Sequence, residues 1–206
     1  MNFGGYKNQV WTTYPAVATI IEPRFLASLS REQIIDGLGE IIKLGLVKDR
    51  SILTLLKKVH VDTLVASTQL LPLLKKAIAA KAFYVKADPS EVGLRKILNA
   101  GHTIGHALEL KYKIPHGRAV LIGLRKELSV CEELGLTPPA VRAQYEALLH
   151  SLGIHLEDNL AIDWQSVLHD KKVAGDHIVL PVIKKPGEAK LVSIKLASLK
   201  HHLVTS

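Results

Sequence analysis

The chain has 206 residues, 48% of them hydrophobic and 22% charged, the balance of a globular protein rather than a disordered or fibrous one. That length holds one substantial core or at most two small domains. The formal net charge of +8 asks for an anionic partner, but Lys57, Lys58, Lys75, Lys76, Lys81 and Lys86 are dispersed and not interleaved with aromatics. This argues against nucleic acid and for a small anionic substrate, most lysines serving as solvated helix faces. No apolar run reaches the roughly 18 residues of a membrane span, and no charged-then-apolar leader opens the chain. With a single cysteine, Cys131, and so no intrachain disulfide, the expected location is the cytoplasm, without a membrane partner.

In chain order, "MNFGGYKNQVWTTYP" is polar and turn-rich, and "AVATIIEP" reads as one strand, residues 17–21, closed by Pro23. A lone strand has nothing to pair with, so residues 1–24 read as the end of a sheet whose other strands lie elsewhere. "SREQ" has the form of a capping box, with Ser30 at the N-cap and Gln33 three residues on. Ile34, Ile35, Leu38, Ile41 and Ile42 then recur at helical spacing. Further helices are predicted at about 50–59, 61–87 (interrupted at Pro72), 90–111, 117–135 and 138–152, with a short one in "DWQSVLHDKK". "HIVLPVIKKPGEAKLVSIKL" reads as a β-hairpin around Lys-Pro-Gly-Glu. The expected fold is mainly α, with an entrance strand and a C-terminal hairpin.

The chemistry concentrates in "ILNAGHTIGHALELKYKIPHGRAV", residues 97–120, where Glu109 is the only acid among three histidines. His102 and His106 are four apart and share a helix face; the pair is a way to present two imidazoles to one metal, and is also common on surfaces. Gly101 and Gly105, each costing about 1 kcal/mol inside a helix, imply close approach of another backbone or a ligand. His116, between Pro115 and Gly117, sits on a predicted tight loop that can fold back toward the helix. A carboxylate should complete such a site, and "DGLGEIIKLG" offers Glu40, with Lys43 one turn later. The bland reading of that pair is a surface contact at i,i+3; the apolar neighbours favour a paired or cation-binding Glu instead. Two imidazoles and one carboxylate with an open position is the composition of catalytic zinc. Glu91 and Arg95 read by default as a surface ion pair, but Arg95, Asn99, His102 and His106 line up as a polar stripe along the predicted 90–111 helix.

Taken together and in this order, "GLGEIIKLG", "EVGLRKILNAGHTIGHALE", "IPHGRAVLIG" and "HDKKVAG" resemble the 3-dehydroquinate synthases, over nearly the whole chain but only over that family's C-terminal part. The resemblance implies a zinc or cobalt site of Glu40, His102 and His116, with His106 and Glu91 as proton-transfer residues. It implies substrate contacts from Lys43, Lys81, Arg95, Asn99 and Lys171. "YKN" matches a Gly-Lys-Asn segment that would place Lys7 on NAD and Asn8 on the substrate, and Phe25, Leu26, Ala27 and Ser28 match a stretch bordering the NAD pocket. The implied reaction converts the anionic sugar phosphate 3-deoxy-D-arabino-heptulosonate 7-phosphate to 3-dehydroquinate and phosphate, in the shikimate pathway of aromatic amino-acid biosynthesis.

Two positions depart from the family pattern: Asn-Phe-Gly-His is Asn-Ala-Gly-His at Ala100, and His-Gly-Glu is His-Gly-Arg at Arg118. No strand–GxGxxG–helix unit occurs, so the expectation is residues 1–24 as the end of an NAD-binding domain and 25–206 as a helical metal- and substrate-binding domain. Such a chain would be inactive without a nucleotide-binding half, and reads as a truncated gene product, as the C-terminal subunit of a split enzyme with a separate NAD-binding subunit, or as a domain kept for another purpose; homodimerisation is the family habit. The alternatives are another sugar-phosphate cyclase, a related metal-dependent alcohol dehydrogenase, or a non-catalytic truncated fragment.

Overall fold

The computed structural model describes residues 16–157, 159–168 and 173–204. A 3-10 turn at Pro23–Ser28 leads into α1 (Arg31–Val47), whose start carries the expected capping box: Ser30 accepts from the Gln33 N–H and the Gln33 side chain accepts from the Ser30 N–H. There follow α2 (Arg50–Leu56), α3 (Val61–Leu64), α4 (Leu70–Ala87), a 3-10 helix at Leu94–Asn99, α5 (His102–Tyr112), α6 (His116–Glu133), α7 (Pro139–Leu152) and α8 (Trp164–Leu168). The chain then forms β1 (Val173–Ala174), β2 (His177–Lys185), β3 (Glu188–Lys195) and α9 (Leu196–Val204). The strands form an antiparallel sheet in the order β1-β2-β3.

The predominantly helical character and the hairpin agree with expectation. Lys185 pairs with Glu188 across Pro186 and Gly187, whose φ of 88° is the conformation a Pro-Gly turn asks of its second residue. Four expectations need correction. Residues 17–21 form no strand: a strand exists through its ladder, none of the described residues pairs with them, and Val17 and Ile20 are 100% and 92% exposed. Pro72 does not interrupt a helix; it lies in the first turn of α4, where its missing N–H is not needed, and the break falls at residues 65–69. The predicted 90–111 helix is two elements, because Asp88 captures the N–H groups of Val92, Gly93 and Arg95, and Gly101 turns left-handed at φ 76°. Finally, α9 was hidden behind a β-rich run; it buries Leu199 and Leu203 against the second half of the core.

The core has two parts that meet at α6. One gathers α1, α2, α4, α6 and α7; the other gathers α5, α6, α8, α9 and β2. Ala119, Val120, Leu121 and Ile122 are consecutive and all fully buried, as expected of a helix enclosed on every side. Such enclosure requires backbones to touch. A Cβ on Gly39 would lie 2.2 Å from Gly117 O, one on Gly117 would overlap Asp36 O, and one on Gly101 would lie 2.7 Å from Val120 O. The close approach inferred from Gly101 and Gly105 is therefore that of α6.

These contacts give glycine substitutions opposite signs. Gly37, on the open side of α1, has nothing within 4 Å of its Cβ position. Gly37→Ala should stabilise the fold by up to about 1 kcal/mol, whereas Gly117→Ala should cost roughly 2–3 kcal/mol, both read from urea unfolding midpoints.

Candidate metal centre

Helix α1 sets Asp36, Glu40 and Lys43 at i, i+4 and i+7, on one face; α5 does the same with His102, His106 and Glu109. His116 is not on a loop but is the first residue of α6. Where the three helices meet, Glu40 Oε1 stands 3.5 Å from His102 Nε2 and 3.5 Å from His116 Nε2. The other carboxylate oxygen accepts a hydrogen bond from Lys43 Nζ at 2.7 Å. Oε1 is buried and has no hydrogen-bond donor among the described residues. Donors held by one tetrahedral zinc at 2.0–2.1 Å lie roughly 3.3 Å from one another. Both the spacing and the unsatisfied oxygen therefore suit a divalent ion, and the set of two imidazoles and one carboxylate suits a site that keeps a position for substrate.

The outer nitrogens are also held. His102 Nδ1 lies 3.1 Å from Ala100 O, and His116 Nδ1 lies 3.0 Å from Glu109 Oε2. With an N–H at each Nδ1, each Nε2 is the nitrogen turned toward Glu40 and the one a divalent ion would take, the usual arrangement behind a ligating histidine. The His106 ring packs beside both, its centroid 5.0 Å from that of His102 and 5.8 Å from that of His116, but its donor nitrogens do not converge with Glu40. Its donor atoms group instead with Glu109 and His116.

Burial pushes the Glu40 carboxyl up, but His116, Lys43 and His102 outweigh it and hold it well below the usual carboxylate range. Burial pushes His102 down to about 3, with Lys43 acting in the same direction. The facing Glu40 carboxylate, against some desolvation and with Glu109 behind the ring, raises His116 to about 9. Burial lowers the Lys43 ammonium, which is 2% exposed; Glu40 opposes this and Lys81 adds to it.

Of the other residues singled out, Glu91, Arg95 and Asn99 come together although no single helix carries them. Asn99 Nδ2 donates to Glu91 Oε1 at 2.9 Å, and Arg95 Nε lies 3.7 Å from Glu91 Oε2. Glu91 has φ 56°, a conformation that is rare outside glycine. Phe25, Leu26, Ala27 and Ser28 form the exposed turn before α1, where Ser28 Oγ donates to Phe25 O. Lys7, Asn8 and Lys171 lie outside the described residues.

Three carboxylates beside the site received no role from sequence: Asp36, Glu109 and Glu127. The first two were detectable, since each repeats the helical spacing of a singled-out residue. Glu127, about three turns into α6, gave a weaker signal. At the departures, Arg118 turns away from His116 to pair with Glu157 at 2.9 Å and to donate to His155 O at 2.8 Å. Ala100 borders a cavity of about 10 Å³ whose lining is completed by Leu124, Glu127, Leu128, Cys131, Thr137, Pro181 and Ile183. That is room for about one water.

A family profile, 3-dehydroquinate synthase C-terminal, matches residues 37–173. The 3-dehydroquinate synthases of Streptococcus pneumoniae strains JJA and Hungary19A-6 are each 31% identical over 206 residues, covering 96% of this chain and 58% of their own length. The chain thus spans under three-fifths of the curated relatives it matches. A solved 2-epi-5-epi-valiolone synthase from Streptomyces hygroscopicus subsp. jinggangensis 5008, with NAD+ and Zn2+ bound, superposes with a TM-score of 0.82 at 23% identity, over 99% of this chain and 59% of that one. A 2-deoxy-scyllo-inosose synthase complexed with carbaglucose-6-phosphate, NAD+ and Co2+ gives 0.70 at 22%, over 89% and 55%. At these identities the likeness shows the shared fold.

The raised His116 predicts a pH dependence. Stability from its proton is complete below the free imidazole value near 6.5 and is lost as pH rises through about 9. A divalent ion at Nε2 must displace that proton, so zinc affinity, measured by chelator competition, should strengthen by tens-fold, at most about a hundredfold, between pH 6.5 and 8.5.

Proposed function

The chain belongs to the 3-dehydroquinate synthase family, and on that premise we propose that it supplies the metal- and substrate-binding part of a sugar-phosphate cyclase. The reaction proposed is conversion of 3-deoxy-D-arabino-heptulosonate 7-phosphate to 3-dehydroquinate and phosphate. The observation that carries this reading is the meeting of Glu40, His102 and His116 around a buried carboxylate oxygen that accepts no hydrogen bond from the described residues. The NAD+ and Zn2+ or Co2+ held by the solved relatives support the same pair of cofactors here. In this reading residues 25–206 are the metal- and substrate-binding domain, and residues 1–24 belong to the end of the NAD-binding one.

When bound, the divalent ion would supply Lewis-acid polarisation of a substrate hydroxyl and NAD would supply hydride-transfer capacity. The chain's own residues bind, orient and move protons. Glu40, His102 and His116 hold the ion. Lys43, Lys81, Arg95, Asn99, Lys171 and Asn8 receive the phosphate, carboxylate and hydroxyl groups of the polyanionic substrate, as the dispersed positive charge of the chain suits. Lys7 and the turn at Phe25, Leu26, Ala27 and Ser28 border NAD. His106, exposed beside two ligand rings, and Glu91, steadied by Asn99 and Arg95, carry protons between substrate and solvent. A second reading, another cyclase of the same superfamily, is favoured by Ala100 and Arg118, which depart from the family pattern next to the ligand histidines.

Metal content separates the roles. Zinc retained by gel-filtered protein should be lost in Glu40→Ala and His102→Ala and kept in His106→Ala, and loss of zinc in His106→Ala would overturn the assignment. Phosphate release is then measured with NAD, zinc and the NAD-binding half of a curated relative. It should fall at least a hundredfold in His106→Ala, and release from a different sugar phosphate alone would favour the second reading.

A further inference from the structure

The two helices that carry the imidazoles each begin at the metal-centre histidine, and neither caps itself. Helix α5 starts at His102 after Gly101, α6 starts at His116 after Pro115, and neither preceding residue makes a side-chain cap. The opening N–H groups of a helix require acceptors, and both helices find them on a carboxylate from another helix. Asp36, on α1 and one turn before Glu40, accepts through Oδ1 from the Gly117 N–H and, at 3.2 Å, from the Arg118 N–H. Glu127, on α6 and 4% exposed, accepts through Oε2 from the Gly101 N–H at 2.7 Å. Gly101 is left-handed and pressed against Val120 and Leu124, so this bond fixes the residue from which His102 departs.

We propose that Asp36 and Glu127 are positioning residues of the metal centre. Each is a carboxylate supplied by a neighbouring helix that locks the first turn of a histidine-bearing helix, and so sets the distance of His116 and His102 from Glu40. Asp36 joins the helix of the carboxylate donor directly to the helix of His116. Both carboxylates also offset the positive ends of the α5 and α6 dipoles, which would otherwise oppose a cation beside them. Neither touches the donor atoms. The inference rests on the metal-centre reading above.

The experiment compares zinc affinity, by chelator competition on the whole chain, with thermal midpoint and far-UV circular dichroism. Asp36→Ala and Glu127→Met remove the acceptor and should weaken zinc binding 10- to 100-fold, while Asp36→Asn and Glu127→Gln, which keep an acceptor oxygen, should restore most of it. Ser30→Ala, removing the cap at the N-terminal end of α1, should lower the midpoint and leave zinc affinity unchanged. If an acceptor-free variant does not fold, Asp36→Glu and Glu127→Asp keep the charge but misplace the oxygen, and the same weakening is expected. Folded variants without a correctly placed acceptor that bind zinc like the parent, while His102→Ala binds none, would overturn this inference alone. Undiminished zinc binding by His102→Ala would overturn the metal centre and the inference together.

Discussion

At one crossing, α1 and α6 lie so close that a side chain on either glycine would enter the other's backbone: Gly39 faces Gly117 O, and Gly117 faces Asp36 O. The residues beside this contact are the donors, for Glu40 follows Gly39 and His116 precedes Gly117. The pattern repeats where α5 meets α6. Gly101 and Gly105 lie against the backbone of Val120 and Ala119, and each precedes a histidine of the cluster. Inside their helices, Gly39 and Gly105 each cost about 1 kcal/mol relative to alanine. The return is that side chains from three helices converge within hydrogen-bonding range without long, flexible reaches.

The charge distribution follows from that convergence. The chain is basic overall, yet Asp36, Glu40, Glu109 and Glu127 gather at the meeting point of α1, α5 and α6, opposite three imidazoles and the buried Lys43. Lys43 takes one oxygen of Glu40, and the backbone of Ala100 and the carboxylate of Glu109 take the outer nitrogens of His102 and His116. Between the two ring nitrogens this leaves a buried Glu40 oxygen with no hydrogen-bond donor among the described residues. Burial makes the arrangement selective: it disfavours a protonated His102, while the two flanking carboxylates favour a proton, or an ion in its place, at His116.

The far end of α1 is anchored independently. The Tyr84 hydroxyl donates to Val47 O at 3.1 Å, and the Gly187 N–H in the hairpin turn donates to Leu46 O at 2.8 Å. These bonds use carbonyls that the end of a helix leaves free. They tie α4 and the sheet to the element that carries Glu40 and Lys43, so the hairpin serves the site by holding its scaffold.

Much of this was legible in the residues themselves. Apolar spacing and the Ser30 capping box gave α1, Pro-Gly gave the hairpin turn, and the glycines beside His102 and His106 announced a close backbone, because each of these signals acts over a few residues. The meeting of Glu40 with His102 and His116 was reached only through the resemblance of whole motifs. Spacing alone favoured pairing His102 with His106, since same-face helical neighbours are all that local periodicity can report. The break at Gly101, the helical position of His116 and the caps donated by Asp36 and Glu127 depend on where α6 passes, many residues away in the chain. Sequence determined which side chains could bind a cation; only the packing of α1 and α5 on α6 decided which three face one another, because donor geometry is set by contacts between helices and not within them.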